Sequence, residues 1–400
     1  MFADAGLRHT PEPVYVRFGM LGLFSLGLGL GLLGAILQIW SLQLSLDAPT
    51  AGNIFLVLAA GLLPAFLLAR KVAGSVGPGT RLLFVLSGTL ATIDLVAMSF
   101  IYDPVLLIAP MFVLGLSLGG LAGAVAALLS QILTERRAHQ ILNLAGVSFC
   151  LGGLAGCLLV RLTVGFVSPD GLLRLMAVLP LLAVAATARA GKLQFRAHSP
   201  TGDAIGWSHV LSPSLLLLGL SLLLQAAAYG IVGCWLTVYL SRALGLTTRG
   251  SLAVLLVFWG ALTIGRVVAA RMPPLRDSIP SLVGPTAAFC AGFVFLLQTK
   301  QPSGATVGTL LLGLGLGAIH PLTLRMVRRR YAVVQQSRLS ALMFLSLAGA
   351  LLACWPVGRL MDTLGIGLVI WAALGCSLVA SLLLLILVIE NRVSGESAVA

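Results

Sequence analysis

Charge is what this sequence has least of. Of its 400 residues 9% are Asp, Glu, Lys or Arg, against 59% hydrophobic, at a mean hydropathy of +1.06. Such a composition excludes a soluble enzyme, and it also excludes a disordered chain, because most of the 46 glycines sit inside long Leu, Val and Ala runs. Those runs are unbroken over about 20 residues, whereas the strands of a transmembrane barrel alternate over about 10. The expected fold class is therefore an all-α membrane protein. The six cysteines (Cys150, Cys157, Cys234, Cys290, Cys354, Cys376) form no CxxC and have no His at metal spacing, so they read as buried thiols. His9, His139, His198, His209 and His320 form no HxxxH pair, and no phosphate-binding loop is present. No catalytic cluster, cofactor, metal or nucleotide is therefore expected, and the chain reads as something other than an enzyme.

A window of about 20 residues, the length that crosses roughly 30 Å of hydrocarbon, finds twelve candidate spans. They cover residues 18–43, 50–69, 82–101, 105–133, 139–162, 171–188, 212–240, 250–270, 281–298, 304–326, 339–359 and 366–389. The one long polar gap runs from Arg189 to Val210. It divides the chain into a six-helix half over 1–188, a linker over 189–211 and a second six-helix half over 212–400. Acidic residues are few, 12 against 25 basic ones, and the excess gives a pI near 10.4. With the N-terminus inside, 19 of those 25 fall on the cytoplasmic side, which places both termini in the cytoplasm of a multi-pass protein, in a bacterial inner membrane. The basic excess then needs no nucleic acid; anionic lipid headgroups are its partner.

The halves echo each other. LGLSLGGLAG from Leu114 and LGLGLGAIHP from Leu312 lie 198 residues apart, and weaker echoes join Trp40 to Trp235 and Gly52 to Gly250. A parallel repeat of six spans implies two bundles related by a pseudo-two-fold axis. Gly115 and Gly119, Gly152 and Gly156, and Gly313 and Gly317 are each four apart, giving smooth ridges for close helix packing or for sliding during gating. Pro64, Pro321 and Pro356 lie within spans, where each removes a backbone donor.

Five segments in order, NLAGVSFCLGGLAG from Asn143, WLTVYL from Trp235, FWGALTIGR ending at Arg266, GLGLGAIHP ending at Pro321 and GRLMDTLG from Gly358, resemble the major facilitator superfamily. Within it they are most similar to the fucose, galactose and glucose proton symporters. The resemblance implies twelve helices around one central site, with Arg266, Gly313, Gly317 and Pro321 among the gating and packing positions. It also has gaps. The loop from Ala69 to Arg81 lacks the usual acid, the proton-linked acids of spans one and four are absent, Tyr229 stands where relatives often carry Glu, and Cys157 replaces the proline of the drug-antiporter signature.

Ionisable groups inside a bilayer are expensive, so each is a functional candidate. Asp94 in span three and His320 in span ten are the candidates for proton coupling; the alternatives are a hydrogen-bonded structural Asp and a packed His. Gln225 and Tyr229, one turn apart, pair an amide with a phenol as a polyol would require. Gln38, Asn143, Phe149, Trp235 and His320 complete the expected substrate-binding set. The reading that follows is a monomeric secondary active or facilitative transporter moving a small polar solute, a sugar or sugar-like molecule, by alternating access. The alternative is an exporter or flippase of amphipathic drugs or lipids.

Overall fold

The computed structural model describes residues 12–73, 77–132, 138–189, 213–271, 278–330 and 336–396. The first half contains α1 (Glu12–Gln43), α2 (Ala48–Ala73), α3 (Gly77–Met98), α4 (Ile108–Ile132), α5 (Ala138–Thr163) and α6 (Pro169–Arg189). The second contains α7 (Pro213–Leu244), α8 (Thr248–Arg271), α9 (Ser278–Gln298), α10 (Pro302–Arg330), α11 (Gln336–Leu352), α12 (Cys354–Leu364) and α13 (Leu368–Glu396). Among the described residues ten spans are long and apolar enough to cross a membrane, with a shorter apolar helix at Leu282–Gln298. With α6 these make the twelve segments, since α11 and α12 together form span eleven. That span breaks at Ala353, where Pro356 can donate no backbone bond to the preceding turn. The linker expected over 189–211 lies, apart from Arg189, outside the described residues, as do the basic residues from Arg136 to Arg137.

Helix polarity sets two faces. The face where α1 begins and α13 ends is the terminal face; the other is the opposite face. Short loops close the opposite face with local caps: Asp47 accepts from Thr50 N (3.0 Å), and Thr247 from Gly250 N (3.2 Å). Residues with positive φ recur at two matching places in each half, Ser45 (φ 50°) with Gly245 (φ 64°), and Gly165 (φ 89°) with Gly365 (φ 84°). Gly245 ends α7 with a bond from Leu246 N back to Leu240 O, which a residue with Cβ would make only under strain.

Close helix contacts repeat in the same way. Gly115 and Gly119 of α4 lie on the Leu58 and Leu62 carbonyls of α2, and Gly313 and Gly317 of α10 lie on those of Phe258 and Leu262 of α8. Gly152 of α5 meets Phe24 O of α1, as Gly349 of α11 meets Leu223 O of α7. The chain is thus two six-helix bundles related by a pseudo-two-fold axis. These contacts pair α1 with α7 at an offset of 199, so Trp40 corresponds to Tyr239, and the Trp40 to Trp235 echo is a coincidence of composition. Likewise α2 and α8 pair at an offset of 200, so Gly52 corresponds to Leu252 instead of Gly250.

Burial sorts the helices. The apolar windows of α4 and α7 are each 72% buried, those of α3 and α13 only 28% and 33%. Ile93, Leu86, Trp371 and Leu382 on the latter pair face outward, the arrangement of helices in contact with lipid.

Candidate substrate cavity

The halves meet most tightly toward the opposite face. A Cβ on Gly34 of α1 would overlap the Gly233 carbonyl of α7, and Thr237 Oγ1 donates to Gly34 O (2.9 Å). Phe55 of α2 packs on Trp235 of α7 (5.8 Å between ring centroids), whose indole nitrogen donates to Cys354 O (3.2 Å) at the break in span eleven. Trp355 Nε1 donates to Asn53 Oδ1 (3.3 Å), and Arg249 donates twice to Val164 O (3.0 and 3.3 Å) while covering the Phe166 ring. Backbone against backbone leaves no space there.

Toward the terminal face the bundles separate around a cavity of about 160 Å³. Its lining comes from both halves, from α1, α2, α4 and α5 and from α7, α8, α10 and α11, and twelve of the residues are leucines. Leu23, Leu26, Leu30 and Leu33 form a stripe along α1, spaced at helical intervals on one face. Among the described residues only Tyr229, Arg266, His320 and Ser346 bring polar side chains, and no acid lines it.

Arg266, named in the sequence as a gating or packing position, also lines the cavity. It is 4% exposed, its Nη1 donates to Gly146 O of α5 across the seam between the halves (2.7 Å), and its guanidinium lies 5.8 Å from the Phe149 ring centre. Its Nε is buried and makes no hydrogen bond. Phe149 in turn packs edge-on against Tyr229 (6.3 Å) and Trp259 (6.2 Å), so an aromatic group holds the guanidinium in place. The sequence groups Arg266 with the cytoplasmic Arg271 and Arg276, but four apolar residues separate it from Arg271. Five residues of helix carry it roughly 7.5 Å deeper and turn it about 140° away, the signal that distinguishes it. His320, also on the lining, has a buried Nδ1 without a partner.

The other expected site residues are scattered. Gln225 does not line the cavity: its Nε2 donates to Ser221 Oγ (3.0 Å) and Thr323 Oγ1 (2.9 Å), tying α7 to α10 inside one half. Gln38 is buried beside the closed opposite-face seam with Oε1 unpartnered, Asn143 is buried near the start of α5, and Trp235 belongs to the Phe55 contact. Asp94 is buried on the peripheral α3, away from the lining, with Oδ2 unpartnered. The glycine pairs Gly115 and Gly119, Gly152 and Gly156, and Gly313 and Gly317 all pack within a half. Pro321 follows His320 inside α10.

Residues 19–345 match the family model of the Major Facilitator Superfamily. The chain belongs to this superfamily. It is therefore a membrane transporter, and the cavity lies between the two bundles of this Major Facilitator Superfamily member. No curated protein matches the chain.

Proposed function

We propose that the chain carries an amphipathic solute across the membrane by alternating access, the cavity being loaded from the terminal face while the opposite face is shut. The lining is the observation that supports this reading. A sugar needs several hydrogen bonds in a site that excludes water, and each of its hydroxyls left unpaired there costs about 1–3 kcal/mol. Four polar side chains among twelve leucines serve such a molecule poorly, and Gln225, the amide best suited to it, is already committed to Thr323. A solute with one polar end and an apolar body fits. The excess of basic residues toward the terminal face supports a cytoplasmic location for it, so the cavity is open to the cytoplasm in this conformation.

The test is binding to protein in nanodiscs, with a dansylated medium-chain amphiphile set against fucose, galactose and glucose. Saturable amphiphile binding, unaffected by the three sugars at millimolar concentration, is the expected result. Displacement by any of the sugars would restore the sugar-transporter reading.

A further inference from the structure

Resting on the amphipathic reading, we infer that Arg266 is the receptor for an anionic head group, so that the cargo is an amphipathic monoanion, a carboxylate carrying one apolar tail. A guanidinium inside a bilayer is costly, about 2.5–3.5 kcal/mol even on the milder insertion scales, and buried charges are kept when paired. Arg266 has a single carbonyl and one aromatic face. Neither neutralises it. The ion pair among the described residues, Arg242 with Asp362 (3.9 Å), lies on the other face of the molecule.

The geometry around the guanidinium is that of an incomplete anion site. A guanidinium carries five donors, of which Nη1 is engaged by Gly146 O and the buried Nε is not engaged at all. Tyr229 and His320 line the same cavity; the tyrosine hydroxyl makes no hydrogen bond among the described residues and His320 Nδ1 is unpartnered. An anion here would meet a charged planar donor with neutral donors beside it, in surroundings where such bonds are strong. A cationic amphiphile would meet an unscreened like charge.

The rest of the cavity supplies the tail site. At the other seam between the halves Phe66 of α2 packs on Phe344 of α11 (5.5 Å), and Leu26, Met343 and Leu347 join the same apolar cluster. A void of about 160 Å³ holds the head and the first methylenes. The leucine stripe on α1, which rises roughly 15 Å from Leu23 to Leu33, forms one apolar wall along the cavity.

Three dansyl probes of equal chain length decide it, measured by fluorescence on the nanodisc-reconstituted full chain: 11-(dansylamino)undecanoic acid, its methyl ester, and the corresponding primary amine. The acid is expected to bind at least tenfold tighter than ester or amine, and Arg266→Gln to remove that preference while leaving ester affinity within twofold. Arg266→Lys should keep part of it. Acetate and inorganic phosphate at millimolar concentration should not displace the acid, which shows that the tail is required; displacement by either would make the site one for a free small anion and overturn the amphiphile. Equal binding of acid and ester to the unmutated protein overturns the anion site but leaves the amphipathic reading standing, and this comparison does not depend on any variant folding. Binding of none of the three overturns both.

Discussion

Gln225 and Tyr229 sit one helical turn apart, yet the fold assigns them to different tasks. Their spacing places them on one side of α7, which was legible; that α10 presents Thr323 to the first and leaves the cavity to the second depends on a partner helix about a hundred residues away. Gln225→Ala should therefore lower stability by about 1–3 kcal/mol, since its two buried bonds to Ser221 and Thr323 are lost, although both hydroxyls keep a backbone carbonyl. Thermal unfolding in detergent would show it, with amphiphile binding unchanged. Tyr229→Phe is expected to behave oppositely, keeping the melting temperature and weakening the acid probe about fivefold, the equivalent of one neutral hydrogen bond. Arg266 was singled out in the sequence as a gating or packing position, but its place on the lining was not legible: near a helix end an arginine ordinarily snorkels to the interface, and only its contact with Gly146 and Phe149 shows that this one points inward.

At the level of the helix, hydrophobic run length located nearly every span to within a few residues, because crossing the bilayer fixes that length whatever the packing. The break in span eleven was visible only as Pro356; that Trp235 uses the Cys354 carbonyl there is a tertiary fact. Close approach was equally half-legible. The repeated glycines announce tight contacts but not with which helix, and the seam between the halves relies on Gly34, which belongs to none of the GxxxG pairs singled out. A methyl group on Gly34 would overlap the Gly233 carbonyl, so Gly34→Ala should force α1 off α7 and favour opening of the opposite face. With the six native cysteines replaced, a cysteine introduced at Gln38, 2% exposed beside this seam, should react several-fold faster with an impermeant maleimide in the Gly34→Ala background. An unchanged rate would mean that the seam yields without opening.

For the molecule as a whole, the basic asymmetry predicts sidedness. Cysteines placed at Pro200 and Ala398 should be labelled only from the cytoplasm; external labelling of either would put the open side of the cavity outside the cell. Energy coupling is a second whole-molecule property. The described lining contains no carboxylate, and Asp94 stands apart from it, so uptake of the acid probe into proteoliposomes should equilibrate without concentrating, with or without an imposed pH gradient. Concentrative uptake abolished by His320→Gln or Asp94→Asn would instead identify a proton carrier.

The internal two-fold gives the cavity a handedness of its own. At the offset of 200 that relates α2 to α8, the counterpart of Arg266 is Phe66, and each crosses to the opposite half, one to Gly146 of α5 and the other to the α11 residue Phe344. A fully symmetric ancestor would have offered a solute two equivalent poses. Divergence at this pair, and at Leu30 with Tyr229 and Ala122 with His320, removes the degeneracy by gathering charge and polar donors on one side of the cavity. Exchanging the two side chains, Phe66→Arg together with Arg266→Phe, would leave the composition of the lining unaltered but part the charge from Tyr229 and His320, so a bound molecule that then turned end for end would show that the charge alone sets its orientation.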